Sequence, residues 1–206
     1  MSFSAGGRAV SLTDSQMRAL GVSPGADRLG RGEDACVYAC ADGGVVKITR
    51  DAGDALACWL AAPQRPPWIV PVQAVWRIKG AYAIRAARVQ ELPREIADAI
   101  EALFADTDDT DEPWEDTHRE VLREIEWQEA EHGGPTARDK IMRQALEAVN
   151  GAVLCLRGLK LDLVDYHSDN FGLHDGHPVL IDLGRLESLD GTPIEERAQA
   201  IPVLPY

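Results

Sequence analysis

The sequence predicts an α+β chain of two lobes, a small β-rich one followed by a mainly helical one, and three observations carry the prediction. Up to about residue 90, short runs rich in β-branched and aromatic residues alternate with turns built on Gly and Asp. After Pro93 the apolar residues switch to the helical period. Beyond the longest helical stretch, a loop dense in Asp, Asn and His leads to a short apolar run that ends at Asp182.

Each element follows from local residue chemistry. "LTDSQMRALG" reads as a short helix with Thr13 or Asp14 as its cap and Gly21 as its stop, so residues 1–28 read as an N-terminal appendage. "LGRGEDACVYACADGGVVKI" reads as a hairpin turning at Asp42-Gly43-Gly44. "DAGDALACWLAA" places apolar residues at 55, 56, 59 and 60 and is closed by Pro63, which suits a short one-faced helix. "WIVPVQAVWRI" and "AYAIRAARVQEL" read as two strands around Lys79-Gly80, which completes a β-rich lobe over 29–92. The second lobe, 93–206, contains "REIADAIEALF", "EDTHREVLREIEWQEAEH" and "ARDKIMRQALEAVNGAVLCLRGL" as helices. The last carries a buried stripe of Ile141, Ala145, Ala148, Val149, Ala152 and Leu156.

Composition narrows the function. A net charge of −13 argues against a nucleic-acid binder, because phosphate contacts require clustered Lys and Arg. The charge is concentrated: residues 91–132 hold sixteen Asp and Glu against Arg94, Arg119 and Arg123, while residues 1–90 hold eleven basic against seven acidic residues. Such a run is ordinarily a solvated helix face, and the functional alternative is the wall of a site for a cationic acceptor. No uncharged apolar stretch approaches the roughly 18 residues of a membrane span, and no signal-peptide core is present, so a cytoplasmic protein is expected. Cys36, Cys40, Cys58 and Cys155 form no CxxC pair and read as small buried hydrophobes.

Several motifs occur in an order that resembles the protein kinase-like superfamily, especially its aminoglycoside phosphotransferase branch and compact bacterial and phage kinase-like proteins. "LGRGEDACV" is similar to that family's Gly-rich loop, carried here by Gly30 and Gly32 with Ala35 in place of the third glycine. "VVKI" resembles the strand whose lysine holds nucleotide phosphates, which makes Lys47 the candidate. "RVQELP", with Glu91, resembles the hinge where backbone groups would meet adenine. Asp165 and Asn170 have the spacing of the family's catalytic loop, and "VLIDLGRLESLD" resembles its metal-binding loop through Asp182. The resemblance implies a two-lobed protein kinase-like fold with a helical C-lobe truncated after the metal-binding loop. It implies ATP and Mg²⁺ as cofactors, Asp165 as the base, and Asn170 and Asp182 as metal ligands. It also implies a hydroxyl acceptor, a small molecule or a protein.

The chain departs from the pattern at specific places. Leu163-Val164 stands where the family has His-Arg before the catalytic aspartate. No glutamate lies between Lys47 and Glu91, so the lysine's helix partner must be Asp51 or Asp54, and Asp54, seven residues on, is the better placed. Only 24 residues follow Asp182. These departures keep a second reading open, a kinase-like protein that no longer turns over and binds a partner through its helical lobe. His167, His174 and His177, with Asp165, Asp169 and Asp182, keep a third open: a transition-metal site, or a metal-dependent hydrolase built on the same carboxylates.

Overall fold

A computed structural model describes residues 2–5, 8–23, 25–31, 35–104, 114–164 and 167–205. The chain begins with an antiparallel pair, β1 (Ser2–Ala5) and β2 (Arg8–Ser11), followed by helix α1 (Asp14–Ala19). Thr13 and Gln16 form a reciprocal capping box at the start of α1, and Gly21, at φ +80°, follows its last turn.

The N-terminal half is framed by a five-stranded antiparallel sheet. It contains β3 (Arg28–Arg31), β4 (Ala35–Ala39), β5 (Val45–Thr49), β6 (Val72–Ile78) and β7 (Ala81–Ala86) in the order β3-β4-β5-β7-β6. Helix α2 (Ala52–Ala61) connects β5 to β6. Strand alternation divides each strand's side chains between two cores. Val46 and Ile48 of β5 pack with Leu12, Met17, Leu20 and Val22 from the α1 region, whereas Ile84 and Ala86 of β7 join the core beneath α2. Leu20 is fully buried and Met17 nearly so, each contributing roughly 1.5–3 kcal/mol. The segment that reads as an appendage in sequence therefore closes one face of the sheet.

The C-terminal half is built on α3 (Arg94–Phe104), α4 (Trp114–His132) and α5 (Ala137–Gly158). Helix α5 is its axis. A Thr136–Asp139 capping box starts it, and Ala145, Leu146, Ala148, Val149, Ala152 and Leu156 are buried along it. Gly151 lets Trp68 lie against the helix, since a Cβ there would stand 2.3 Å from the indole ring. Helix α4 meets α5 through Trp114 and Ile125, with Arg143 holding both oxygens of Glu129 at 3.0 Å and Arg157 pairing with Glu115. Its remaining acids, Asp116, Glu120, Glu124, Glu126 and Glu131, are exposed, and residues 105–113 of the acidic run lie outside the described residues.

After α5 come β8 (Leu161–Leu163), a 3-10 turn at Ser168–Asn170, β9 (Phe171–His174) and β10 (His177–Leu180). The stretch expected to be a polar loop thus contains an antiparallel hairpin, turned at Asp175-Gly176 with both residues at positive φ. β11 (Leu186–Ser188) pairs with β8, and α6 (Ile194–Arg197) leads into a 3-10 turn at Ala198–Ala200. The chain then returns to β6. Arg77 N–H donates to Pro202 C=O at 2.7 Å, Leu204 N–H donates to Arg77 C=O at 3.0 Å, and the Arg77 guanidinium reaches Ile201 C=O at 2.9 Å. No helix among the described residues is long and apolar enough to cross a membrane, and all four cysteines are free thiols.

Candidate functional site

Lys47 lies in the middle of β5, on the strand face opposite Val46 and Ile48, and so points toward α2. Asp51 sets the start of that helix, accepting the Gly53 and Asp54 N–H groups at 2.6 and 3.0 Å. The cap brings Asp54, in the first turn, against Lys47. The Nζ–Oδ2 distance is 2.8 Å, and the Asp54 side chain is 1% exposed. This is a charge contact off the direction of a hydrogen bond, since Oδ2 has no hydrogen-bond donor among the described residues.

The second carboxylate comes from the loop after β10, where Asp182 Oδ1 lies 2.9 Å from the same ammonium. Backbone bonds fix this loop. Asp54 Oδ1 accepts Leu183 N–H at 3.3 Å, Asp51 Oδ2 accepts Arg185 N–H at 3.4 Å, and Asp182 Oδ1 accepts Gly184 N–H at 3.2 Å. Asn170, buried at the end of the 3-10 turn, accepts Ile181 N–H at 2.7 Å and Asp182 N–H at 3.3 Å through its carbonyl. The structure therefore brings Lys47, Asp54, Asp182 and the Asn170 backbone together from four separate segments.

Electrostatics follow from this burial. Burial raises the Asp54 carboxyl to about 6, and the Lys47 charge only partly opposes it. Burial also works against the Lys47 charge, but Asp54 and Asp182 outweigh it and hold the ammonium above its ordinary range. Cys58, one turn after Asp54, has its thiol pushed well up by burial, with the Asp54 carboxylate adding to the effect. One ammonium thus serves two carboxylates. Asp182 is 48% exposed, and its Oδ2 has no protein donor among the described residues, so hard oxygen remains available for a cation.

Lys47, Cys58 and Asp182 line a cleft of about 590 Å³, with Asp54 buried behind the lysine. Leu29, Val37, Ala86 and Ile181 supply apolar wall. Gly30 borders it from β3; neither its φ nor its packing requires glycine, since a Cβ there would meet nothing within 4 Å. The stretch that reads as a hinge lines the far side. Gln90 exchanges both backbone bonds with Leu173, at 2.9 and 2.8 Å, and Ala87, whose N–H donates to Pro71 C=O at 2.9 Å, lines the cleft with Arg88 and Val89. Gly172 permits this approach, because a Cβ there would stand 2.5 Å from Val89 Cγ2. Glu91 lies exposed at the rim. Gly32 and Asp165 lie outside the described residues.

A larger groove, about 790 Å³, runs between α4 and α5, but Arg119, Glu124 and Arg138 lie at the exposed surface, and its buried acid, Asp139, is taken up in the Thr136 capping box. The 590 Å³ cleft at Lys47 is the stronger candidate because opposite charges converge on it. Among the described residues, no three His, Cys, Asp or Glu side chains form a metal-binding group; His174 and His177 face each other at the end of the β9–β10 hairpin.

Sequence reasoning did not single out Asp51 as the tie between α2 and the Asp182 loop, nor Cys58. The signals were an aspartate immediately before a helix and a cysteine four residues after Asp54. No family model matches the chain, and no curated protein matches it. Among solved structures, the chain is similar to an aminoglycoside phosphotransferase from Alicyclobacillus acidocaldarius subsp. acidocaldarius DSM 446. The likeness covers 93% of this chain and 73% of that one at 14% identity, with a TM-score of 0.40, too distant to assign a family.

Proposed function

We propose that this chain is a kinase-like phosphotransferase that binds ATP with Mg²⁺ in the interlobe cleft and transfers the γ-phosphate to a hydroxyl acceptor. The observation that carries this reading is the Lys47 ammonium held between buried Asp54 and half-exposed Asp182 at the cleft floor. An ammonium fixed by two carboxylates is placed to meet an anion without searching rotamers, and phosphoryl transfer depends largely on such positioning. Asp54 acts through Lys47, and its second bond, to Leu183 N–H, keeps lysine and Asp182 loop in register.

Asp182 and Asn170 offer the oxygen donors that Mg²⁺ prefers, and the ion, when bound, would neutralise phosphate charge. Arg88 and Val89 would take the adenine through backbone groups, with Glu91 at the rim, and Gly30 would leave room for phosphates beneath β3. Asp165, with the spacing of a catalytic base to Asn170, would accept the acceptor's hydroxyl proton.

Two measurements test this. Mg-ATP at about 100 times its dissociation constant stabilises a binding fold by roughly 2.7 kcal/mol and raises its melting temperature accordingly. Asp182→Asn should shrink that shift, whereas Asp165→Asn should leave it and abolish transfer of labelled γ-phosphate. A wild-type protein whose melting temperature ignores millimolar ATP, GTP and Mg²⁺ sinks the proposal.

A further inference from the structure

We infer that Glu101 is a positioning residue for the cleft, holding in place the turn that joins the Asn170 and Asp182 segments; the inference rests on the phosphotransfer reading above. The 3-10 turn Ser168–Asn170 begins at His167, whose side chain makes no capping bond to it. A turn that starts this way leaves its first N–H in need of an acceptor. Glu101 supplies one from α3, 67 residues earlier, with Oε1 accepting Ser168 N–H at 2.7 Å. The distance is that of a charge-assisted bond. Bonds from the Ser168 side chain and backbone hold the Glu101 carboxyl below its ordinary range.

The far end of the same turn is tied to the site. Asn170 C=O holds the N–H groups of Ile181 and Asp182, and Asp182 in turn holds Lys47. Glu101 at one end and the Asp182 strand at the other therefore pin a three-residue turn, and slack at Ser168 has nowhere to go except Asn170. The turn also forms a wall. Ser168 and Asp169 line a second hollow of about 410 Å³ that shares Val89, Gln90 and Ile181 with the main cleft.

Glu101 itself is exposed on α3, whose buried residues are Ile96, Ala99, Ile100 and Leu103. Its removal opens no core, which separates positioning from folding. Sequence carries no hint of this contact, because a carboxylate amid a strongly acidic run looks like solvated surface.

The test compares Glu101→Ala with Glu101→Gln, which keeps an oxygen for the Ser168 N–H. Hydrogen exchange on the intact protein should show the Ser168 and Asp182 amides exchanging about tenfold faster in the alanine variant and within about threefold of wild type in the glutamine variant. In ATP turnover, the alanine variant should lose about tenfold in kcat and need more Mg²⁺ for half-saturation, with KM for ATP unchanged and glutamine restoring most of the loss. Unchanged amide exchange in the alanine variant overturns the inference, as does a glutamine variant that loses as much as alanine. A wild-type protein that neither binds nor turns over nucleotide refutes the phosphotransfer reading instead, and the exchange data then decide alone whether Glu101 holds the turn.

Discussion

Replacing Lys47 with methionine should destabilise the protein in a strongly pH-dependent way. Methionine keeps the apolar stem and removes the ammonium that lies 2.8 Å from a carboxylate only 1% exposed. Asp54 already has its carboxyl raised from 3.8 to about 6. A carboxyl raised by folding contributes stability that is present below its unfolded value and lost as pH climbs through the folded one. Without Lys47 the folded value rises further, because nothing then opposes the desolvation of the buried carboxylate. Above pH 6 wild type has completed its loss while the variant continues to lose about 1.4 kcal/mol per pH unit, so the gap reaches roughly 3 kcal/mol near pH 8. That agrees with the ~3–5 kcal/mol cost of breaking a buried ion pair. For a chain of 206 residues it corresponds to a fall in melting temperature of roughly 6–12 °C. Circular-dichroism melts of both proteins from pH 5.5 to 8.5 check it, with the Lys47→Met/Asp54→Asn double variant expected to lose the slope. Lys47 is held above its ordinary 10.5 and does not titrate in this window. A gap of constant size across the range would refute the reasoning, because Asp54 would then not be the charge that Lys47 neutralises.

Two further substitutions test the frame around the site. Gly151→Ala should destabilise by about 1–3 kcal/mol in urea unfolding, even though alanine is the better helix former, because its Cβ would meet the Trp68 ring. Asp51→Ala should cost about 1–2 kcal/mol in the same assay, since it removes the cap of α2 and the tie to Arg185 N–H, and Asp51→Asn should recover most of that loss.

Local chemistry was legible in the sequence wherever neighbours along the chain decide the outcome. The α1 cap, the Gly43 and Gly80 turns and the α5 stripe depend on residues within a few positions of one another. Lys47, Asp54 and Asp182 could be nominated together because motif order placed them, and the structure sets the three side chains in contact. Their roles with a nucleotide are a matter for the experiments above. What stayed hidden depends on distant segments. Met17 and Leu20 look like an isolated helix face until the sheet they cover is known. Of the β9–β10 hairpin, the apolar run at 178–181 marks β10 as the strand delivering Asp182, whereas β9 was masked by the His and Asp around Phe171 and Leu173. Glu101 and Arg77 act across 67 and 124 residues, a separation at which side-chain type alone predicts nothing.

The return of residues 201–204 to Arg77 has a consequence for how the chain is made. β6 is an outer strand of the five-stranded sheet, and its unpaired backbone is the kind of template on which other chains aggregate. The segment that covers it at Arg77 leaves the ribosome 124 residues later, a delay of roughly 6–25 s at ordinary synthesis rates. During that interval the nascent five-stranded sheet carries an open edge at β6. Solubility during synthesis, rather than stability once folded, is therefore the property that changes at Pro202 to Leu204 should affect first.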